Sequence, residues 1–487
     1  MPRKKILSFV IIVLIIASGI SIWGIFKSKN KPSISYQPDK APVQLQRVIL
    51  ITIDTLRADH FGVYGYPRPT SPFIDRLAQN SVLFQKAFAS IPSTTPSHAS
   101  IMTSLHPITH KVLKNGHKLD KSFLTLAEIF KEMNFKTAAF ASTNTHFKVG
   151  NLDQGFDFFD EPPKGSVRHR RPANQTMDQA MKWLEKRKPS DKFFLWIHVF
   201  DPHDPYNPLP EFRKMLAFPS EKEKQDYVRF LKEQHHLDLN FYGSEEKTLD
   251  ILEQYDTEVL FVDQQIKRIY EFMAQKGLSP HSVWIITSDH GEGLGNHRWA
   301  GHGKHIYNEQ IWAPLLFHFT DQVPPRGTVE RIVEQVDILP TILDLFGCSI
   351  NKYEYKIHGT SLLSFLLNNG KAFPFKYAFS QRRHYSPQKR PQQIIPEKSN
   401  YEAGEKYCLQ DKNFKYILRT TGEDEFYHLQ QDPYETRNLI QNNLPEKNQM
   451  KQLLLALITR YSKGSKLTPQ SVDKETIRKL RSLGYIQ

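Results

Sequence analysis

Three short apolar segments of the chain each end in polar side chains that can bind an ion or an anion. The segments and the residues that follow them are Val48–Ile53 with Asp54, Phe193–Phe200 with Asp201 to His203, and Val283–Thr287 with Ser288 to Gly291. Runs that are apolar on both faces are typical of buried strands in a mostly parallel sheet. Helical patterns, such as Leu124–Met133 and Met177–Arg187, lie between them. This alternation predicts an α/β fold whose ligands gather at the carboxyl ends of the strands.

The remaining patterns predict an insertion and a smaller second unit. Residues 208–250 are charged and weakly periodic, which is typical of an insertion or lid over the site. The segment Val333–Phe346 predicts another helix, kinked or restarted at Pro340. Beyond about Phe373, polar residues and short strand-like pieces precede a helical pattern over Gln449–Tyr461. This change in texture predicts a C-terminal α+β subdomain.

The N-terminus predicts a membrane anchor. Residues 1–5 are basic and precede a nearly unbroken apolar run over residues 6–26, which is long enough to span a bilayer as a helix. The run continues past the point where a signal peptide would be cleaved, so an uncleaved, single-pass anchor is expected. Lys27, Lys29 and Lys31 balance the basic residues in front of the run, which leaves its orientation open. A large domain behind a single N-terminal anchor favours the extracytoplasmic side for that domain. Residues 27–45, rich in Lys, Pro and Ser, predict a tether. A catalytic domain over residues 46–372 and the subdomain over residues 373–487 follow.

Composition narrows the class of protein. With 24% charged and 39% hydrophobic residues among 487, the chain is an ordinary globular protein rather than a disordered one. The net charge of +14 fits either solubility or attraction to an anionic membrane surface or substrate. No Arg-rich helix or aromatic-interleaved basic stripe indicates nucleic acid. Two cysteines, Cys348 and Cys408, exclude a disulfide framework and a cysteine-based zinc site.

The segment Ser93–Ser100 carries the candidate nucleophile. Its hydroxyls ahead of a proline form a common helix start, and Thr95 or Ser97 could simply cap that helix. In the functional interpretation, Thr94 lies at the amino end of the helix. There the dipole and free N–H groups favour an anionic ester and lower the cost of an alkoxide.

A metal would activate that hydroxyl if carboxylates lie nearby. Oxygens from Asp54, Asp289 and Thr94 and a nitrogen from His290 form a mixed donor set. Such a set favours one Zn²⁺ or Mn²⁺ ion, since Ca²⁺ normally prefers an all-oxygen shell. Ca²⁺ and Mg²⁺ stay open as alternatives.

Several motifs together resemble the sulfatase family, within the alkaline phosphatase superfamily. In chain order they are Ile51–Gly65, Thr94-Thr-Pro-Ser-His98 (similar to a C/S-x-P-S-R motif), Thr287–Glu292, Gly301–Leu316 and Phe426–Leu439. The match runs from about residue 46 to the C-terminus. It implies a three-layer α/β sandwich with a mostly parallel central sheet, and a metal-dependent ester hydrolase.

Four departures fall on the catalytic positions of that family. Thr94 replaces the Cys or Ser that becomes formylglycine, and its extra methyl would yield a ketone, so formylglycine is not expected. His98 replaces an arginine and Thr55 replaces the second aspartate of the metal pair. The family's lysine-and-histidine sulfate-binding segment is not recognisable around Thr143–Val149. These changes weaken the case for sulfate specificity.

The remaining set, Asp54, Thr94, Asp289 and His290, is similar to the one-metal site of lipoteichoic acid synthases and phosphoethanolamine transferases. Those membrane-anchored relatives use threonine as the nucleophile. The resemblance implies that Thr94 attacks phosphorus and forms a covalent intermediate, which water or an acceptor hydroxyl then resolves.

Four further residues are candidate substrate contacts. His203 matches a family position that holds the non-bridging oxygens of the ester, although its Pro-rich segment is also an ordinary turn. His302 could bind the transferred group or a second metal, or lie in a plain surface loop. Both are predicted as catalytic residues beside Thr94, and His98 and Lys304 complete the predicted substrate contacts.

Three hypotheses about function follow. The first is a hydrolase or transferase that cleaves sulfate or phosphate esters of a glycan, lipid or small molecule through unmodified Thr94. The second is a genuine sulfatase. The third is a membrane-tethered pseudoenzyme that binds anionic glycans or lipids. Retention of the four-residue metal set argues against the third.

Overall fold

A computed structural model describes residues 34–163, 170–321, 327–350, 356–367, 377–385 and 403–463. The predicted basic N-terminus and anchor, residues 1–26, lie outside this part of the chain. Within the described ranges, every helix is too short or too polar to cross a bilayer.

Sixteen strands are present in the described residues. They are β1 (Ile34–Tyr36), β2 (Arg47–Ile53), β3 (Ser81–Phe88), β4 (Lys136–Ala141), β5 (Phe158–Asp160), β6 (Phe193–Val199), β7 (Ser282–Ser288), β8 (Gly293–Leu294), β9 (Ala300–Gly301), β10 (Trp312–Phe319), β11 (Gly327–Glu334), β12 (Cys348–Ile350), β13 (Ala378–Tyr385), β14 (Gly404–Gln410), β15 (Phe414–Arg419) and β16 (Glu425–His428). The α-helices of the same ranges are Pro72–Ala78, Thr94–Thr103, Pro107–His110, Leu126–Glu132, Ala173–Leu184, Pro210–Met215, Glu221–Glu233, Glu245–Gln275, Asn308–Ile311, Ile338–Leu345, Leu363–Leu366 and Pro445–Lys463.

The central sheet has eight strands in the order β11-β3-β10-β7-β2-β6-β4-β5. Strand β10 runs antiparallel to both of its neighbours, and the other pairs are parallel. Every residue of β2, β6 and β7 is buried, as the three apolar runs predicted. The mostly parallel sheet of the α/β prediction is therefore confirmed.

Helices cover both faces of this sheet. Along β2, Val48 and Leu50 face one apolar core, and Ile49 and Ile51 face the other, since side chains alternate along a strand. The first core is completed by helices that include Thr94–Thr103, Leu126–Glu132 and Ile338–Leu345. The second is completed by helices that include Pro72–Ala78, Ala173–Leu184 and Glu245–Gln275. The result is the predicted three-layer sandwich.

The C-terminal part forms a separate antiparallel sheet in the order β13-β14-β15-β16. The helix Pro445–Lys463 packs on it through Met450, Leu454 and Ile458. This arrangement matches the predicted α+β subdomain.

Two expectations about local structure were wrong, and a third segment has more regular structure than its weak periodicity predicted. The predicted tether ends early, because β1 pairs with β12 and thereby ties residues 34–36 to the catalytic domain. The predicted helix Val333–Phe346 begins only at Ile338, since Val333 and Glu334 finish strand β11. The charged segment 208–250 contains two helices and the start of the 31-residue helix Glu245–Gln275, whose buried apolar face anchors it to the sheet.

His297 links the catalytic domain to the C-terminal subdomain. Its Nδ1 lies 2.9 Å from Glu309 Oε1, its Nε2 lies 3.1 Å from the Glu435 carbonyl oxygen, and its ring stacks on Tyr307 at 3.7 Å. Burial lowers the pKa of His297, but the Glu309 carboxylate more than offsets this and raises it to about 9. Both ring nitrogens therefore donate to acceptors at neutral pH.

We expect His297→Asn to destabilise the chain in a pH-dependent way. Because the folded-state pKa is raised to about 9, the stabilisation is fully present below the unfolded pKa near 6.5. It is lost as the pH rises through about 9, with an upper limit of about 3 kcal/mol. Denaturant unfolding at several pH values between pH 6 and 10 measures it. His281→Asn is the matched control, since His281 shares the positive φ but is half exposed. A difference that does not change with pH would contradict the assignment.

Candidate active site

Two aspartates and a histidine meet at the carboxyl edge of the central sheet. Asp54 follows β2 and Asp289 follows β7, and these strands are parallel with Ile53 opposite Ser288. One ligand atom from each of Asp54, Asp289 and His290 lies within 4.8 Å of the others, and all three residues are buried. The structure therefore brings Asp54 together with Asp289 and His290, which lie more than 230 positions later in the chain. The strand-end argument predicted this convergence.

The orientation of these side chains leaves donor atoms facing a common point. Asp289 Oδ1 accepts the N–H groups of Thr55 and His290, at 3.1 and 2.8 Å, so that Oδ2 is free of hydrogen bonds. His290 Nδ1 lies 2.9 Å from the Gly291 carbonyl oxygen and donates to it. Its Nε2 lone pair then points toward Asp289 Oδ2 at 3.4 Å and Asp54 Oδ1 at 3.9 Å. Lone pairs facing one another at these distances indicate a cation between them.

The pKa shifts of the two carboxylates also indicate a cation between them. Burial and the charge of Asp54 raise the pKa of Asp289 well above its usual value. Burial opposes ionisation of Asp54 as well, but the imidazoles of His198, His203 and His290 hold its pKa below the ordinary value. Two charges about 5 Å apart repel by about 3 kcal/mol at an effective dielectric constant of 20. The oxygen and nitrogen donors present fit one divalent cation, which would remove this penalty.

Thr94 is the first residue of a buried ten-residue helix beside this cluster. The Asn115 side chain caps the helix by accepting the Thr95 N–H at 2.9 Å. The Thr94 hydroxyl is buried and has no hydrogen-bond partner. The backbone carbonyl oxygen of Thr94 lies 2.8 Å from His98 Nδ1, and His98 Nδ1 lies 3.8 Å from Asp289 Oδ2. The hydroxyl thus lies at the amino end of a helix that contacts Asp289 through His98.

A hydrogen-bond chain fixes the start of this helix and gives His98 a different role from the predicted one. Trp196 Nε1 donates to Thr52 Oγ1 at 3.0 Å, and the Thr52 hydroxyl donates to His98 Nε2 at 2.9 Å. His98 Nδ1 is left to donate to the Thr94 carbonyl. Both nitrogens of His98 are therefore engaged and its ring is fully buried, which favours positioning of Thr94 over the predicted substrate contact.

His203 and His302 lie at the rim of the carboxylate cluster. The His302 ring contacts the rings of His290 and His203, at 4.6 and 4.9 Å between centroids. Its Nδ1 lies 3.3 Å from both Glu292 carboxylate oxygens. Burial lowers the pKa of His203 to about 4, although Asp54 opposes the shift. Two imidazoles with some exposure beside buried carboxylates are suited to contacting an anionic substrate.

Lys304 and Asp201 have other surroundings. Lys304 is half-buried, and burial together with the neighbouring Arg383 and Arg382 lowers its pKa to about 8. The carboxylate of Asp201 accepts the Ala173 N–H at 2.8 Å, which satisfies the start of the helix Ala173–Leu184. Asp201 thus has a structural use, and Lys304 lies among cations.

Sequence reasoning missed two histidines of the site. His146 follows β4, and its pKa is lowered to about 4 by burial, with Asp54 opposing. His198 lies within β6, with Nε2 3.5 Å from Asp54 Oδ2. The strand-end rule would have found His146 had Lys136–Ala141 been recognised as a strand. His198 carried no such signal, because it interrupts an apolar run.

The comparison with known families settles the class of protein. A model described as sulfatase matches residues 46–348. The chain belongs to the sulfatase family. A second model, described as the C-terminal part of N-sulphoglucosamine sulphohydrolase, matches residues 295–463. The resemblance predicted from the motifs is therefore confirmed, and this sulfatase-family chain is an ester hydrolase of the sulfatase-like class.

Individual relatives of this sulfatase-family chain are distant. It is 24% identical to an ulvan-active sulfatase of Formosa agariphila, over 81% of this chain and 76% of that protein. It is 23% identical to an arylsulfatase of Clostridium perfringens, over 86% and 96% of the two chains. The crystal structure of a phosphonate monoester hydrolase of Agrobacterium radiobacter superimposes with a TM-score of 0.68 at 20% identity, over 85% and 96%. This structural likeness supports the fold.

We expect the purified full-length protein to hold one divalent ion and to lose it on Asp289→Asn, because the substitution removes an anionic ligand. Removing the ion should also lower the melting temperature, since a ligand at a hundred times its Kd stabilises by about 2.7 kcal/mol. Elemental analysis and thermal unfolding, with Zn²⁺, Mn²⁺, Ca²⁺ and Mg²⁺ added back in turn, measure both effects. Asp344→Asn, on the exposed side of a helix, is the control. A melting temperature that is insensitive to chelators would exclude the metal site.

Proposed function

We propose that this sulfatase-family protein cleaves sulfate or phosphate esters with the unmodified hydroxyl of Thr94 as nucleophile. The observation that supports it most is the buried Thr94 Oγ1, which has no hydrogen-bond partner and lies at the amino end of a helix whose His98 Nδ1 is 3.8 Å from Asp289 Oδ2. An unpartnered buried hydroxyl costs about 1–3 kcal/mol. Proteins tolerate this loss of stability at positions where the polar group takes part in the reaction.

In the first step, Thr94 Oγ1 bonds to the sulfur or phosphorus of the ester as its proton passes to solvent. The bond to the ester oxygen breaks, and that oxygen leaves with a proton. Water or an acceptor hydroxyl then attacks the same sulfur or phosphorus, and the Thr94 hydroxyl is regenerated. A divalent cation held by Asp54, Asp289, His290 and Thr94 would lower the pKa of the hydroxyl and offset charge on the transferred group.

The imidazoles around the cluster have complementary tasks. His302 is oriented by Glu292 and faces His203, so it is placed to donate a hydrogen bond or a proton to the leaving oxygen. The Nδ1–H of His203 donates to the Asp204 carbonyl oxygen at 2.5 Å, so its Nε2 donates to an incoming anion only when the imidazole is protonated. His146 adds a buried imidazole on the side of Thr95, whose hydroxyl lies 3.5 Å from the His146 carbonyl oxygen.

The ester class is open between two alternatives. The ulvan-active sulfatase and the arylsulfatase favour sulfate esters of glycans or small molecules. The phosphonate monoester hydrolase, with the same fold, favours phosphorus. The threonine at position 94 favours phosphorus as well, because it cannot supply the aldehyde on which formylglycine-dependent sulfatases depend. A phosphate ester or phosphodiester is therefore the first substrate to test, and a sulfate ester the second.

The membrane anchor belongs to the same proposal. Residues 6–26 are apolar and long enough to span a bilayer, which supports a single N-terminal span. The large domain that follows this span is proposed to lie outside the cytoplasm. Cell fractionation with protease protection tests this. Recovery of the full-length chain in the cytosolic fraction would exclude it.

Thr94→Ala should lower kcat by at least about a thousandfold, because it removes the nucleophile. Thr94→Ser should retain activity within about tenfold. Paired nitrophenyl sulfate, phosphate monoester and phosphodiester substrates measure the rates, with each metal in turn. Thr95→Ala, which removes the neighbouring hydroxyl, is the matched control and should leave kcat within about threefold.

Intact-mass spectrometry after brief incubation with substrate should show a covalent adduct on Thr94, absent from Thr94→Ala. An adduct on another residue would refute the nucleophile assignment. Absence of turnover for all three substrates, with metal bound, would favour the alternative of a binding protein without activity.

A further inference from the structure

Thr55, the residue after Asp54, offers no carboxylate to a cation in this site. Where related proteins carry a second aspartate, this chain has Thr55. Its backbone is left-handed, with φ 54°, and its N–H donates to Asp289 Oδ1. Its hydroxyl is buried without a hydrogen-bond partner. A neutral hydroxyl replaces a carboxylate here, so the site has one anionic ligand fewer.

His198 lies where a replacement donor is needed. It pairs with Thr52 across β2 and β6, so its side chain emerges beside the carboxyl end of β2. Its Nε2 lies 3.5 Å from Asp54 Oδ2. The ring is fully buried and held edge-on by Phe147 and His98, at 4.7 and 5.1 Å between centroids. The aromatic neighbours thus fix the direction in which Nε2 points.

Neither nitrogen of His198 has a hydrogen-bond partner in the described structure. The separation of 3.5 Å from Asp54 is longer than an N–H···O hydrogen bond, which is typically about 2.7–3.2 Å. It is close to the spacing of about 3.3 Å between two ligand atoms around a tetrahedral cation with bonds of about 2.0–2.1 Å. The His290 Nε2 to Asp289 Oδ2 distance, 3.4 Å, has the same spacing.

The other histidine close enough is ruled out by its own bonds. His98 Nδ1, His198 and Asp289 offer donor atoms within 4.8 Å of one another. His98, however, donates Nδ1–H to the Thr94 carbonyl and accepts the Thr52 hydroxyl at Nε2. Only His198 of this pair keeps an uncommitted nitrogen, and its Nε2 faces Asp54 Oδ2.

We propose that His198 is a direct metal ligand, in place of the missing carboxylate, so that two imidazoles and two carboxylates hold the cation together with the Thr94 oxygen of the proposed function. Two nitrogens shift the preference toward Zn²⁺, Co²⁺ or Mn²⁺ and away from Ca²⁺ and Mg²⁺. The two carboxylates balance the double charge of the cation. This inference rests on the metal site of the proposed function, but not on the ester class or on Thr94 chemistry.

X-ray absorption of the zinc-loaded, full-length protein in detergent tests the ligand set without an activity assay. We expect outer-shell scattering from two imidazoles in the wild type and from one in His198→Gln. The Kd for Zn²⁺, from competition with a chromogenic chelator, should rise at least about a hundredfold. His318→Gln is the matched control, because His318 is also buried on a strand but lies at Ser81 and Tyr270; both readouts should stay at wild-type values.

One imidazole in the wild type, or two imidazoles and an unchanged Kd in His198→Gln, would overturn the proposal and leave His198 as a residue that only positions Asp54. If His198→Gln does not fold, the imidazole count of the wild type alone decides between these outcomes. Failure of the wild type to bind any ion would overturn the ligand assignment and the proposed function together. Two imidazoles without a Thr94 adduct would uphold the ligand and refute only the nucleophile.

Discussion

The site depends on the proximity of two buried carboxylates. Asp54 and Asp289 end adjacent parallel strands whose register places Ile53 opposite Ser288, so their side chains must share one small volume. Their repulsion in this volume is about 3 kcal/mol at an effective dielectric constant of 20. Apolar strands on both sides prevent water from relieving it. Positive charge at the carboxyl edge of the sheet therefore stabilises the site, and the other residues of the site surround this edge.

The surrounding polar groups hold Thr94 against this edge. Ser97 Oγ lies 2.7 Å from the Asp289 carbonyl oxygen and 3.1 Å from Gln335 Oε1, which binds the helix of Thr94 to the end of β7. On the same face of the sheet, the chain from Trp196 through Thr52 to His98 ends on the Thr94 carbonyl. Both sets are buried and hydrogen-bonded, so they fix Thr94 at little cost while its hydroxyl stays unbonded.

Sequence patterns predicted the sheet, the two helical layers and the convergence of Asp54, Asp289 and His290, because strand ends and apolar periodicity are local signals. The parts that were missed depend on tertiary packing. His198 interrupts an apolar strand, and only the register of β6 on β2 brings it to Asp54. His98 was expected to touch substrate, and only the positions of Thr52 and Thr94 show that both its nitrogens are used. The prediction of a tether over residues 27–45 failed at residues 34–36, because β1 pairs with β12, which lies more than 300 residues later in the chain.

A fixed edge of the sheet with exchangeable side chains explains how one family accommodates different chemistry. The backbone at Thr55 keeps its left-handed turn and its hydrogen bond to Asp289 although the side chain no longer offers a carboxylate. The absence of this carboxylate need not abolish cation binding, because His198 on the neighbouring strand β6 has its Nε2 3.5 Å from Asp54 Oδ2. It does change which cations bind well, since nitrogen donors favour borderline-soft metals. In the proposed site, the nucleophile and the metal preference therefore depend on positions 55, 94 and 198, while the scaffold that brings these positions together is kept.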